Sequence, residues 1–201
     1  MNPLNTVKGS IIAGVVIAVV IALLVSGGLH FNEFSLARWL HFLSGVMWIG
    51  LLYYFNAVQI PGLADAGADK GGPGGAGISK YIAPRALLWF RWAAVATWLT
   101  GVWYLARGGN LVGAFTLGLL NESLNNYQLV IGIGAWLGTI MLVNVWVLIW
   151  PNQKKVLGLV PASDEEKNRA RNVAKYASRI NFVLSIPMLM CMGGASHGLP
   201  F

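Results

Sequence analysis

The chain has 201 residues, of which 56% are hydrophobic and only 10% charged, where an average soluble domain carries roughly 25% charged residues. Several apolar runs match the roughly 20 residues needed to cross a bilayer, which excludes an ordinary water-soluble fold and gives one all-α integral membrane domain over residues 1–201. The formal charge of +7 does not indicate nucleic acid, because the basic residues lie in short segments between apolar runs, where they set membrane orientation.

A first span is predicted at about 10–28. With Lys8 before it, the run has the look of a secretory signal, but it is long for one and no Ala-x-Ala site follows, so a retained anchor is expected. A second span is predicted at about 36–57, followed over 62–80 by a glycine-rich cytoplasmic loop containing Lys70-Gly-Gly-Pro-Gly-Gly-Ala-Gly77. Those residues bury too little apolar surface to offset ordering entropy, and a flexible loop is expected.

The third and fourth spans are predicted at about 86–106 and 127–150, with Pro151 stopping the fourth. Gly134 and Gly138 in the fourth form a small-xxx-small pair that lets another helix approach. Ser163-Asp164-Glu165-Glu166 fits a capping box, so a helix is expected from about residue 164, running into a fifth span at about 178–196. No internal repeat of transporter type is visible.

Twelve basic residues fall on one side of this arrangement: Lys8, Lys70, Lys80, Arg85, Arg91, Lys154, Lys155, Lys167, Arg169, Arg171, Lys175 and Arg179. Arg38 and Arg107 fall on the other. The positive-inside rule then gives a cytoplasmic N-terminus, a periplasmic C-terminus, and His30, His41 and His197 toward the outer face.

Polar residues inside spans are costly and are the first place to look for chemistry. His41 shares a helical face with Ser44, Gly45 and Trp48, a ligand-capable ring beside a gap that could admit a flat macrocycle. The alternative is an imidazole satisfied by a carbonyl or water. His197 follows Met188, Met190, Cys191 and Met192 at a similar depth, so the two imidazoles could ligate one haem iron or another metal; otherwise His197 is a terminal residue in water. His30 is a weaker third ligand.

Arg91 beside Trp92 reads either as a snorkelling interface residue or as a fork for a carboxylate, quinone or anionic substrate. Asn144 reads as a buried amide bonding a neighbouring helix, and Trp146 and Trp150 as interface anchors. Cys191, the single cysteine, lies in an apolar run, and neither CxxC nor CxxCH occurs, which excludes covalent c-type haem in this chain.

Four stretches carry a family resemblance: Ala37 to Asn56 around His41-Phe-Leu-Ser-Gly45-Val-Met-Trp48, Trp89-Phe-Arg-Trp92, Asn144 to Lys155, and Ala177 to Met190 followed by Gly193-Gly-Ala-Ser-His197. Together they resemble the membrane domain of bacterial membrane-bound urate oxidases. The resemblance implies a multi-pass protein of the bacterial inner membrane that hydroxylates urate and passes electrons to a cytochrome c domain fused at its C-terminus. It singles out His41, Trp48, Arg91, Asn144, Asn152 and His197 as cofactor-binding positions. The sequence ends at Phe201 without that cytochrome domain, so a separate cytochrome c or a quinone is expected as acceptor.

Two functions follow as expectations. One is a membrane redox protein, a urate-oxidase-like oxidoreductase that holds b-type haem or a metal near the outer face through His41 and His197. The other is a non-catalytic accessory subunit, packed in the bilayer against the subunits of a larger respiratory or photosynthetic complex. A transporter is the weaker third class, since the spans offer few charges.

Overall fold

The structure is a computed structural model that describes residues 2–28, 30–123 and 125–201, and all regular structure among the described residues is helical. The chain divides into two compact units, Met1–Glu33 and Phe34–Phe201.

The first unit is built on α1, Val7–Ser26. The Thr6 side chain caps it by accepting from the Gly9 amide, and Gly27 ends it at a φ of +69°, a left-handed conformation that costs glycine little. Its 20 residues are apolar on every side, with a mean hydropathy of 2.8, and none is buried. A helix without a polar face needs an apolar surrounding on all sides.

The second unit contains α2 (Glu33–Ala68, which opens at the junction), α3 (Ala83–Arg107), the short α4 (Leu111–Phe115), α5 (Asn126–Val156) and α6 (Asp164–His197). Among the described residues, α1, α2, α5 and α6 are the four helices long and apolar enough to cross a membrane. The third predicted span corresponds to α3. Its 25 residues reach roughly 38 Å at 1.5 Å per residue, but it carries Arg85, Arg91 and Arg107 and is not one of those four.

Three π turns interrupt the helical geometry, at Phe55–Gln59, Ile78–Ile82 and Asn144–Ile149. Each is followed within two residues by a proline: Pro61, Pro84 and Pro151. Proline lacks an amide hydrogen and its ring clashes with the carbonyl one turn back, and a turn widened by one residue accommodates both defects.

This corrects two expectations. Pro151 does not stop the fourth helix, which continues to Val156. The glycine-rich stretch 62–80 is not one loop, because α2 runs on to Ala68 and helix resumes at residue 76, leaving only 69–75 outside helical structure. The alanines and Leu63 of that first part are good helix formers, and the second part is propagated back from α3.

The core lies between α2, α3, α5 and α6, where Trp48, Leu52, Phe90, Met141, Val145 and Met188 are buried together. The edge-on contact of Phe55 with Phe90, centroids 5.4 Å apart, joins α2 to α3. A second cluster joins Leu105 of α3 and Ala114 of α4 to Ile131 and Ala135 of α5. Gly132 permits this, since a Cβ there would collide with the Ala114 carbonyl. Gly134 allows α6 to approach α5, where an added Cβ would stand 3.2 Å from Cys191 Cβ, whereas Gly138 has nothing within 4 Å of the same position.

A polar seam on α6 binds the core helices. Ser178, Asn181 and Ser185 lie on one side of α6, three to four residues apart, and all three are buried. Asn56 of α2 donates to Ser178 Oγ at 2.9 Å, Asn144 of α5 donates to Asn181 Oδ1 at 2.9 Å, and Asn181 donates to the Met141 carbonyl at 2.9 Å. Ser185 donates to Tyr53 Oη at 3.4 Å. The Ser163 capping box begins α6, with Ser163 and Glu166 bonded reciprocally.

Large apolar side chains cover the outside of this unit, including Phe42 and Val46 of α2, Trp89 and Leu99 of α3, Val147 of α5, and Val183 and Ile186 of α6. An apolar exterior around an internal polar seam is the inverse of the soluble pattern.

Replacing Asn181 by Ala leaves the Met141 carbonyl and the Asn144 amide without their partner. The expected loss is about 1–2 kcal/mol, against under about 1 kcal/mol for Ser178→Ala. Unfolding of the purified chain in detergent, followed by circular dichroism, measures the difference.

Candidate functional site

His41 lies in α2 with its ring against α3. Its Nδ1 is 2.8 Å from the Thr97 carbonyl oxygen. A carbonyl can only accept, so the imidazole donates from Nδ1 and its Nε2 carries the free lone pair. The same arrangement, with one ring nitrogen held by a backbone carbonyl, orients metal-binding imidazoles in general. Among the described residues Nε2 has no hydrogen-bond partner.

The seat of this ring is made by absent side chains. A Cβ at Gly101 would lie 2.9 Å from His41 Cε1 and 3.0 Å from Nδ1, and a Cβ at Gly45 would touch Thr97. Gly101 thus gives the ring its place, while a Cβ at Gly45 would make only ordinary van der Waals contact. Thr97 is itself buried, its hydroxyl donating to Ala93 within α3. Thr97 and Gly101 are the site residues that sequence reasoning missed. Their four-residue spacing is a helical-face signal, but only the pairing of α2 with α3 shows that it faces His41.

Trp48, two turns along the same face, is 2% exposed, and its Nε1 has no hydrogen-bond partner among the described residues. A buried unpartnered donor is uncommon.

His197 is exposed in the last turn of α6. The Asn56–Ser178 bond fixes the antiparallel register of α2 and α6. At 1.5 Å per residue His41 lies about 23 Å along α2 from Asn56 and His197 about 29 Å along α6 from Ser178, toward the same end of the two helices, and no contact joins the two imidazoles among the described residues. His30 belongs to the first unit. Among the described residues no group of three or more His, Cys, Asp or Glu side chains comes together to hold a metal ion.

The remaining positions lie elsewhere. Arg91 precedes Thr97 by about 9 Å along α3, and its guanidinium is stacked 3.8 Å over the Trp150 ring. Asn144 is bound into the polar seam. Asn152 donates to the Leu148 carbonyl of its own helix at 2.8 Å. The structure thus distributes the six positions over two levels: the imidazoles at one end, with Arg91, Asn144 and Asn152 toward the other and Trp48 between.

Residues 111–201 match the model of the family described as urate oxidase N-terminal. The match covers α4, α5 and α6, and with them Asn144, Asn152 and His197. His41, Trp48 and Arg91 precede it. The chain is therefore similar to the urate oxidase N-terminal family over its C-terminal helices, while no curated protein and no solved structure matches it.

The Gly101 seat is directly testable. Gly101→Val would push the His41 ring off the Thr97 carbonyl, whereas Gly50→Val meets open space. In nitrogen-15 spectra of imidazole-labelled protein, the protonated Nδ1 signal is expected to shift in the first variant and stay in place in the second.

Proposed function

We propose that this chain is a membrane redox protein of the bacterial inner membrane. On this reading its helices cross the bilayer with the N-terminus in the cytoplasm, and a b-type haem is held near the outer face by His41. His197, from α6, would be the second residue to hold it. The observation that carries this reading is the 2.8 Å contact between His41 Nδ1 and the Thr97 carbonyl, which fixes the tautomer with Nε2 free to ligate.

The residues that would hold such a group are the fixed imidazole of His41 and, along the same helical face, the Trp48 indole, unpartnered among the described residues. Haem would supply one-electron transfer at a potential set by its axial ligands and surroundings. The chain's own part is to hold the His41 ring in one orientation, to exclude water with the surrounding apolar side chains, and to place His197 toward the same end of the helices. A metal held by three or more protein side chains is less favoured, since the described residues assemble no such group.

The family match supports urate as the substrate class, and a separate cytochrome c or a quinone is the electron acceptor on this reading. The match includes His197 but not His41.

A second reading, an accessory subunit without chemistry of its own, is favoured by the tryptophan-bearing apolar exterior, where Trp39, Trp89, Trp92 and Trp136 are exposed. Aromatic surfaces of this kind suit contact with other membrane subunits as well as lipid. Recovery of the chain only together with unrelated catalytic subunits, colourless by itself, would favour this reading.

Absorption spectra of the purified chain separate the two. The redox reading expects a Soret band that sharpens on reduction with dithionite and is lost or shifted in both His41→Ala and His197→Ala. A chain with no Soret band and no stoichiometric metal, or variants with spectra identical to the parent, would end it.

A further inference from the structure

The Arg91 level has no part in the proposed haem site, and its chemistry is of one sign. The Arg91 guanidinium lies 3.8 Å from the Trp150 ring centroid, and Lys154 Nζ lies 6.0 Å from the same centroid. Neither cation has a hydrogen bond or an ion pair, and no carboxylate is within pairing distance of either among the described residues. One turn before Trp150, the Trp146 ring packs edge-on against Trp92, centroids 5.4 Å apart, and Trp146 Nε1 is buried without a partner.

Each unsatisfied group here is a donor. Stacking on an indole fixes the plane of a guanidinium while leaving its N–H edge free, so Arg91 is held with its fork unfilled. Two cations close to one ring repel each other, and an anion bound by both would lower that cost. A partly buried guanidinium without a counter-charge gains from an acceptor carrying at least two oxygens. Arg91 lies about 12 Å from the start of α3 and Trp150 about 9 Å from the end of α5, at neighbouring ends of these antiparallel helices.

We infer that Arg91, stacked on Trp150 and joined by Lys154, forms a binding site for a phosphate-type oxyanion. The phosphodiester of an anionic phospholipid and free inorganic phosphate share this chemistry. The inference takes from the proposed function only the reading that the helices lie in a bilayer, and it does not involve haem.

The test uses the full chain purified in detergent, with phosphatidylglycerol as one probe and inorganic phosphate as the other. Native mass spectrometry counts retained lipid, and equilibrium dialysis with labelled phosphate measures the free anion. One tightly retained phosphatidylglycerol per chain is expected, with affinity reduced about tenfold by Arg91→Gln and severalfold by Arg91→Lys, which keeps the charge but loses the flat fork. Lys154→Gln should cause a smaller loss.

Phosphate binding that is equally sensitive to Arg91, with no lipid retained, supports the site and assigns it to the free anion. Should Arg91→Gln fail to fold by circular dichroism, Arg91→Lys carries the comparison. Binding of both probes at parental affinity in folded Arg91→Lys and Lys154→Gln, or binding of neither probe to the parent, overturns the inference. None of these outcomes depends on a Soret band, so they remain separate from the test of the redox site.

Discussion

The Asn181 side chain is wholly buried, and its amide must find all its partners inside the protein. It donates to the Met141 carbonyl and accepts from Asn144, both on α5. An unpaired amide at such a place would cost more than the bonds themselves contribute, so the pairing decides where α5 and α6 can sit. Met141 lies just before the π turn that begins at Asn144, where the regular ladder of backbone bonds changes step. Asn56 repeats the device on α2, at the second residue of the π turn Phe55–Gln59, bonding the Leu52 carbonyl and Ser178. Two π turns on two helices thus present amides to one polar seam on a third.

That seam sets the register on which the candidate site depends. Helices with uniformly apolar surfaces slide past one another at little cost, because no single offset buries much more area than the next. Hydrogen bonds at fixed points remove the freedom. With Asn56 held to Ser178, α2 and α6 are tied at one point, from which His41 and His197 both lie toward the same end of the helix pair. Between α2 and α3 glycine does the comparable work: the missing side chain at Gly101 leaves room for the imidazole that meets the Thr97 carbonyl.

The contrast between Asn144 and Asn152 shows what a residue type alone conveys. Both lie on α5, eight residues apart, and both belong to the same recognisable stretch. One reaches a neighbouring helix and the other bonds its own backbone one turn back. The difference lies in what faces each position, and an amide with no neighbour satisfies itself locally. Pro151 makes the same point for the backbone: read locally it stops a helix, but a π turn directly before it absorbs the clash and α5 continues.

Much of the architecture was legible in the residues because it follows from local rules. Apolar length gives the helices, the Ser163–Glu166 pair fixes the start of α6, and the polarity of the connecting segments gives an expected orientation. His41 could be singled out because an imidazole in an apolar run is unusual by itself. Only the tertiary structure decided which carbonyl holds that ring, that Arg91 stacks on Trp150 rather than joining the histidines, that Ser178, Asn181 and Ser185 form one seam, and that Leu111–Phe115 is a helix seated on Gly132. These are contacts between residues tens of positions apart, set by helix register and by the shapes left free at glycines, and no local pattern encodes them.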